Sequence, residues 1–150
     1  MSEKVITLGE IMLRLKPPGV ERFFQSPVME ATFGGGEGNV AISLANFGLD
    51  VAFVTALPAN PIGDACLRYL RGYGVDTDLI QRSGERMGLY FLEAGANQRP
   101  SKVVYDRANS AIATAGADSF DWDVVFAGAG WLHITGITPA LSQSAADLSL

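Results

Sequence analysis

The sequence predicts an α/β fold in which helices cover both faces of a parallel sheet, a doubly wound arrangement. Short apolar runs rich in β-branched residues alternate along the chain with helical patterns that end at glycine. Their order of strand, helix, strand, helix is the order of right-handed crossover connections. A second group of segments alternates apolar and charged residues, which is typical of half-exposed strands. We expect this second group to form a small separate sheet inserted into the core.

The first buried strand and the first helix are predicted within the first 48 residues. Residues 5–8 are a β-branched apolar run that ends at Gly9. Residues 39–47 carry apolar side chains at helical spacing, and Gly48 follows as the expected helix stop. The three glycines at 34–36 precede this helix, so we expect a glycine loop that leads into its first turn.

A second strand and a second helix follow in the same order. Residues 51–56 are predicted as a buried strand and residues 62–73 as a helix closed by Gly74. Asn60 supplies a capping side chain and Pro61 a first-turn proline. Residues 75–77 and 79–80 are expected to begin a further strand.

The half-exposed strands occur in two separated parts of the chain. Residues 12–16 and 29–33 alternate in the first part, and residues 88–93 and 103–105 alternate in the second, where they predict a hairpin with a long polar loop. The predicted division is therefore a core of residues 1–11, 34–86 and 108–150 and an inserted sheet of residues 12–33 and 87–107.

The last 40 residues contain short helical patterns and one apolar run. Helical pieces are predicted at 111–115 and 122–126, and a buried strand at 131–135. Residues 142–148 have the pattern of a helix that begins. A doubly wound sheet with so few strands is truncated on its C-terminal side, so we expect the chain to be a fragment.

The composition argues against several classes of function. The 150 residues carry a net charge of -5 with a pI near 4.7, so no basic field is present for nucleic acid. No apolar run approaches the roughly 18 residues that a membrane helix needs, and the start lacks a signal pattern. The single Cys66, inside a predicted helix, is interpreted as a core residue and fits a reducing compartment. We expect a cytoplasmic protein with no nucleic-acid or membrane partner.

The glycine segment from Gly34 to Asn39 is the first candidate binding site. Backbone N–H groups can approach a ligand closely where no Cβ blocks them, and a helix N-terminus favours oxygen atoms. The spacing fits neither a dinucleotide loop, because Asn39 stands where the last glycine belongs, nor a P-loop, because the Gly-Lys-Ser/Thr ending is absent. The Asn39 amide can both donate to and accept from a polyol, which favours a ligand over the alternative of a tight turn.

The second candidate combines Tyr90 with Tyr105 and Arg107. An arginine fork binds a carboxylate through two parallel hydrogen bonds, and tyrosine hydroxyls at alternate strand positions can orient sugar oxygens. The alternative is a pair of surface aromatics beside a surface salt bridge.

His133 and Glu10 are polar residues at predicted strands. His133 lies between apolar neighbours and is predicted to be hydrogen-bonded in the core rather than catalytic. The chain has no second histidine and no second cysteine, which excludes a His/Cys metal site, and no metal ligand is predicted. Glu10 either faces a ligand or anchors the inserted sheet, and the sequence leaves both interpretations open.

Several motifs in this order resemble the N-terminal half of the ribokinase-like (PfkB) carbohydrate kinases, and within them the 2-keto-3-deoxygluconate kinases. No single motif is decisive, but their ordered combination is specific and spans essentially the whole chain. The matching segments are residues 8–15, 33–41, 60–64, 88–90, 105–111 and 133–142.

The resemblance implies a Rossmann-like core with a β-sheet lid that closes over a sugar. It also implies the residues that contact the sugar from the glycine segment and from the lid, which are Gly34, Gly35, Asn39, Tyr90, Tyr105 and Arg107. Arg107 suits the carboxylate of an acid sugar, which favours a ketodeoxy acid over fructose or ribose. In that family the lid often helps to pair subunits, so a homo-oligomer through the lid is a candidate assembly.

The activity implied by the resemblance is transfer of the γ-phosphoryl group of ATP, with Mg²⁺, to the terminal hydroxyl of 2-keto-3-deoxygluconate or a similar sugar acid. The family's Gly-Ala-Gly-Asp motif, with the catalytic aspartate and the ATP pocket, belongs to the C-terminal half. Here Gly128, Ala129 and Gly130 are followed by Trp131. No catalytic residue is therefore predicted in this chain, which alone is expected to be inactive.

Two positions depart from the family pattern, and two other functions stay open. Glu37 stands where the strict family signature has a small residue, and the ketodeoxygluconate branch shows a similar departure. Pro58 stands where the general signature has glycine. The alternatives are a non-catalytic sugar-acid binding module and a fructokinase-like kinase of a neutral sugar.

Overall fold

The computed structural model describes residues 3–150, which contain nine strands and five helices. The strands are β1 (Lys4–Leu8), β2 (Met12–Lys16), β3 (Glu30–Gly34), β4 (Val51–Val54), β5 (Ala56–Leu57), β6 (Gln81–Arg82), β7 (Leu89–Glu93), β8 (Lys102–Asp106) and β9 (Ala129–His133). The helices are α1 (Gly36–Asn46), α2 (Pro61–Gly72), α3 (Ala111–Thr114), α4 (Trp122–Phe126) and α5 (Gln143–Leu148), with a 3-10 turn at Ala117–Ser119. Within this described range, no helix is both long enough and apolar enough to cross a bilayer.

The central sheet is parallel, in the order β4-β1-β9, and is covered by helices on both faces. Successive side chains of a strand point to opposite faces, so β4 contributes to two hydrophobic clusters. Ala52 and Val54 pack with residues of α3, α4 and α5 on one face. Val51 and Phe53 pack with residues of α1 and α2 on the other. This arrangement confirms the predicted doubly wound α/β class.

The alternating segments form a second, four-stranded sheet in the order β3-β2-β7-β8. β2 is antiparallel to β3 and parallel to β7, and β7 and β8 form the antiparallel hairpin that the sequence predicts. The chain passes between the two sheets near residues 9–11, 34–35, 87–88 and 107. The space beside these four crossings is where the candidate site lies.

The helix α2 begins at the predicted cap. The Asn60 Oδ1 atom accepts hydrogen bonds from the backbone N–H groups of Ile62 (3.1 Å) and Gly63 (3.0 Å), and Pro61 is the first helical residue. Cys66 lies on the buried face of this helix, where burial raises the pKa of its thiol to about 12. The thiol therefore stays protonated at neutral pH, and Cys66 is a core residue as predicted.

The prediction of a strand within residues 75–80 is wrong. Asp76 makes only an isolated bridge to Ala52, and the regular pairing begins at β6. The backbone N–H of Asp78 donates to the Asp76 carboxylate (2.9 Å), and the N–H of Ile80 donates to the Thr77 carbonyl (3.1 Å), so the segment turns instead of extending. Val75 and Ile80 are buried by this turn.

The strand predicted at 51–56 is interrupted at Thr55, so β4 lies in the central sheet and β5 pairs with β6 in a separate two-stranded sheet. The last strand is also displaced and its environment differs from the prediction. β9 covers 129–133 instead of 131–135, and Trp131 and Leu132 are 69% and 46% exposed. β9 pairs with β1 on one side, and none of residues 3–150 pairs with its other side. The apolar run is thus an edge strand and not a buried one.

Candidate functional site

A concave site lies between the carboxyl end of β1, the start of α1 and one face of the second sheet. Its cavity has a volume of about 220 Å³. All six predicted contact residues border it, together with residues that the prediction did not include. The lining residues are Glu10, Met12, Gly34, Gly35, Gly36, Glu37, Asn39, Tyr90, Val103, Tyr105, Arg107 and Ile137.

The glycine segment is a direct connection from strand to helix and not the loop that was predicted. Gly34 is the last residue of β3, Gly35 is the N-cap, and α1 begins at Gly36. A Cβ on Gly34 would lie 2.7 Å from the Tyr90 hydroxyl, and a Cβ on Gly35 would lie 2.1 Å from the Glu10 carbonyl oxygen. These glycines are needed because neighbouring groups approach the backbone closely. Asn39 lies exposed in the first turn of α1, where its side chain borders the cavity.

Tyr90 and Tyr105 lie opposite each other on the neighbouring strands β7 and β8, as the sequence predicts for two accompanying strands. Their ring centroids are 6.0 Å apart and their planes are inclined by 37°. Directly opposite residues share one face of a sheet, so both rings border the cavity. The pair forms an aromatic wall with two hydroxyl groups available for hydrogen bonding.

The guanidinium of Arg107 lies at the end of β8 beside this wall. Its Cζ atom is 5.3 Å from the centroid of the Tyr105 ring, which is a cation–π distance. Its Nη2 atom donates to Glu10 Oε2. The Nε atom is buried and has no hydrogen-bond partner among residues 3–150. Arg107 is therefore ion-paired within the protein and still has an unsatisfied donor.

Glu10 is the site residue that the prediction left undecided, and the structure gives it both features. Its carboxylate is 2% exposed, accepts a hydrogen bond from Ser110 Oγ (2.8 Å) and pairs with Arg107. Burial raises the pKa of Glu10 above its ordinary value of 4.5, although the hydrogen bond from Ser110 and the charge of Arg107 act in the opposite direction. The signal in the sequence is its position at the carboxyl end of a parallel strand, where ligand sites concentrate.

Glu37 is a second buried carboxylate at the site. Its Oε1 atom accepts hydrogen bonds from the Thr135 N–H (3.1 Å), the Thr135 hydroxyl (2.6 Å) and the Thr138 hydroxyl (3.3 Å). A Cβ on Gly9 would lie 2.2 Å from the Glu37 Cδ atom, so glycine at position 9 leaves the space that this carboxylate needs. Glu37 thus joins the first turn of α1 to the segment after β9, which includes Ile137.

His133 is not part of this site. It lies on β9 beside a different cavity bordered by Val5, Leu44 and Trp131. The predicted core hydrogen bond of this histidine is missing at Nε2, which is buried without a partner in the described part of the chain.

The structure holds no group of three or more His, Cys, Asp or Glu side chains that could bind a metal ion, within residues 3–150.

The chain is similar in sequence to members of one family of carbohydrate kinases. The sequence pattern described as "pfkB family carbohydrate kinase" matches residues 2–148. The 2-dehydro-3-deoxygalactonokinase of Haloferax volcanii is 37% identical over 144 residues, covering 96% of this chain and 45% of that protein. The 2-dehydro-3-deoxygluconokinase of Bacillus subtilis is 30% identical over 151 residues, covering 99% of this chain and 46% of that protein.

A solved structure gives the same result at the level of the backbone. The 2-dehydro-3-deoxygluconokinase of Thermotoga maritima superposes with a TM-score of 0.94 and 55% sequence identity, covering 98% of this chain and 45% of that chain. The chain therefore spans about half the length of the curated relatives that it matches.

Proposed function

The chain belongs to the pfkB family of carbohydrate kinases, and from this premise we propose that it is the sugar-binding part of a kinase for sugar acids. The complete enzyme transfers the γ-phosphoryl group of ATP to the terminal hydroxyl of 2-keto-3-deoxygluconate, also called 2-dehydro-3-deoxygluconate, or of a similar acid. The observation that carries this proposal is the guanidinium of Arg107 at the border of a cavity whose other polar lining groups include the Tyr90 and Tyr105 hydroxyls, the Asn39 amide and the carboxylates of Glu10 and Glu37.

Each lining group has a separate part in the proposed binding mode. Arg107 binds the carboxylate, because a guanidinium offers several N–H donors in one plane and a carboxylate accepts two of them. The hydroxyls of Tyr90 and Tyr105 and the amide of Asn39 bind sugar hydroxyls. Gly34 and Gly35 border the cavity at the N-terminus of α1, where the partial positive charge of the helix favours ligand oxygen atoms.

ATP and Mg²⁺ are assigned to the part of the complete enzyme that this chain does not match. Mg²⁺ is usually bound through one or two carboxylates together with substrate phosphate oxygens, and residues 3–150 hold no cluster of three or more His, Cys, Asp or Glu side chains. When bound, they supply the phosphoryl group and neutralise its charge. This chain's own residues bind and orient the sugar acid, and none of them is assigned as the catalytic base.

The second sheet is also proposed to pair two copies of the chain. All five residues of β8 are exposed, including the apolar Val103 and Val104. An exposed edge strand with apolar side chains is a site of association. The cytoplasmic location stays a prediction from the sequence.

A chimeric kinase tests the proposed function. It consists of this chain followed by the C-terminal part of the Thermotoga maritima relative, which is 55% identical over the matched region. We expect ATP-dependent phosphorylation of 2-keto-3-deoxygluconate with kcat/KM well above that for fructose. Because two of the relatives are named for the gluconate and galactonate forms, both acids are compared.

The alternatives give different results in the same assay. Preferential use of fructose would contradict the acid-sugar assignment and support a fructokinase-like enzyme. Calorimetric binding of the sugar acid to the 150-residue chain, combined with no phosphorylation by the chimera, would favour a non-catalytic binding module.

A further inference from the structure

Glu10 lies where the four chain crossings between the two sheets meet. It is itself on the first crossing, between β1 and β2. A Cβ on Gly35, on the second crossing, would lie 2.1 Å from the Glu10 carbonyl oxygen. A Cβ on Gly88, on the third, would lie 2.6 Å from the Glu10 Oε1 atom, and Arg107, on the fourth, is ion-paired with Oε2. Glu10 therefore approaches the other three connections, Gly35 through its backbone carbonyl and Gly88 and Arg107 through its carboxylate.

The two oxygens of the Glu10 carboxylate have different partners. Oε1 accepts from the Ser110 hydroxyl at 2.8 Å, and Oε2 accepts from Arg107 Nη2. Glu10 is 2% exposed and Ser110 is 1% exposed, so water does not compete for these bonds. A carboxylate held at both oxygens in a buried environment has a fixed orientation.

This fixed carboxylate determines where the guanidinium of Arg107 lies. Glu10 holds one amino group of the guanidinium, and the ring of Tyr105 lies 5.3 Å from its Cζ atom. A hydrogen bond at one nitrogen and an aromatic ring beside the central carbon restrict the movement of the guanidinium. Within residues 3–150, Glu10 is the one carboxylate paired with Arg107, and the buried Nε donor has no acceptor.

We propose that Glu10 is a positioning residue that sets the preference for acid sugars by orienting Arg107 toward the carboxylate of the substrate. This inference rests on the proposed function. The positioning role requires the correct distance and angle of the Glu10 carboxylate as well as its charge. The negative charge of Glu10 by itself repels an anionic substrate. Orientation and charge therefore predict opposite effects and can be separated.

The variant Glu10→Asp separates them, since it keeps the charge but shortens the side chain by one methylene. Aspartate cannot reach Arg107 and Ser110 together from the same backbone position. In the chimeric kinase we expect the ratio of kcat/KM for 2-keto-3-deoxygluconate over fructose to fall by about tenfold or more, mainly through KM for the acid. In the Arg107→Met background, we expect Glu10→Asp to leave that ratio unchanged.

Glu93→Asp is the matched control. Glu93 is also a buried glutamate, 3% exposed, and it accepts a hydrogen bond from the Phe23 N–H (3.1 Å) and pairs with Arg99 in the second sheet, outside the cavity. We expect it to leave the ratio at the wild-type value. An equal loss on both sugars with Glu10→Asp, or the same change in the Arg107→Met background, would overturn the positioning role.

A second measurement does not depend on the substrate. In the chimeric kinase, the ¹⁵N side-chain NMR signals of Arg107 report whether its guanidinium is immobilised. We expect separate, slowly exchanging Nη signals in the wild type and averaged signals in Glu10→Asp. Unchanged signals in Glu10→Asp would overturn the inference even where the chimera fails to use the acid, and that failure alone would contradict only the proposed function.

Discussion

At the scale of single residues, the proposed preference for an acid sugar over a neutral one depends on Arg107. Its guanidinium borders the cavity and is held by Glu10 and the ring of Tyr105. The hydroxyl and amide groups of Tyr90, Tyr105 and Asn39 interact with any polyol. In the proposed binding mode, the carboxylate is the feature that only the arginine recognises.

Replacement of this arginine is therefore expected to act on one class of substrate. Loss of a hydrogen bond to a charged group costs about 1.5–3 kcal/mol, which is roughly a 10- to 100-fold change. In the chimeric kinase, Arg107→Met should raise KM for 2-keto-3-deoxygluconate by that factor and should change KM for fructose much less. Steady-state kinetics with both sugars measure the difference.

Arg68→Met is the control for this substitution, because Arg68 is an exposed arginine of α2 outside the cavity. Its kinetics should match the wild type for both sugars. Equal losses on the two sugars with Arg107→Met would contradict the assignment of the carboxylate to Arg107.

Sequence patterns reveal candidate site residues where tyrosine and arginine side chains occur together on predicted half-exposed strands. Tyr90, Tyr105 and Arg107 stand out on an exposed hairpin, and the structure brings them to one cavity with Asn39. Glu10 was left undecided because its contacts to Arg107 and Ser110 join residues about 100 positions apart in the chain. Such a contact follows from the tertiary arrangement and has no local pattern.

At the scale of elements, the junction of β3 and α1 depends on close approach of backbones. A Cβ on Gly35 would lie 2.1 Å from the Glu10 carbonyl oxygen, which belongs to the rigid backbone. The main chain must shift to relieve this clash. Overpacking of this kind costs about 1–3 kcal/mol.

We therefore expect Gly35→Ala to lower the free energy of unfolding by that amount and to weaken sugar binding. Gly72→Ala is the matched control, because Gly72 ends α2 and a Cβ there meets nothing within 4 Å. Alanine in a helix is about 0.5–1 kcal/mol more favourable than glycine, so this variant should be slightly more stable. Urea denaturation of both variants tests the pair, and equal effects would contradict the close-approach explanation.

The turn after α2 is joined to β1 by an ion pair between Lys4 and Asp76, whose N–O distance is 2.7 Å. Burial opposes ionisation of Asp76. The hydrogen bonds from Lys4 and from the Asp78 N–H, together with the charges of Lys4 and Arg71, outweigh burial, so the pKa of Asp76 lies below its ordinary value of 3.8. A lowered pKa in the folded state stabilises the fold above the unfolded-state pKa.

This stabilisation is expected to disappear as the pH falls from about 3.8 through the lower folded-state pKa of Asp76. Asp76→Asn should lower the free energy of unfolding at pH 7 and lose this part of the acid dependence. Asp50→Asn, at an exposed position before β4, should keep it. Urea denaturation between pH 2.5 and 7 compares the variants, at intervals of about half a pH unit. Parallel profiles for wild type and Asp76→Asn would contradict the role of this pair.

The helices and strands that the sequence predicts correctly are those determined by a local signal, such as a capping residue or a periodic pattern. The Asn60-Pro61 cap, the alternating hairpin of β7 and β8 and the helices on both faces of the sheet follow from capping and periodicity. The strand expected at 75–80 is a turn, because apolar residues such as Val75 and Ile80 can be buried by a turn as well as by a strand. The exposure of β9 depends on what pairs with its outer edge, which no local pattern states.

At the scale of the whole molecule, two of the exposed apolar surfaces lie at sheet edges. The β8 surface is the free edge of β8 with the exposed Val104, on the face opposite the cavity-lining Val103 and Tyr105, and the β9 surface consists of Trp131 and Leu132 on the central sheet. Both belong to strands at the edge of a sheet, whose free N–H and C=O groups can pair with another strand. Contiguous apolar patches at such edges favour association.

A molecule with two self-pairing surfaces does not stop at a dimer, because each added copy leaves one surface free. We expect the 150-residue chain to form species larger than dimers in sedimentation experiments at micromolar concentration. Leu132→Lys should block the β9 surface and leave dimers through the β8 surface. The double variant with Val104→Lys should be monomeric, since a lysine on an edge strand prevents pairing. A monomeric wild-type chain would contradict both surfaces, and dimers that persist in the double variant would contradict the assignment of the dimer contact to β8.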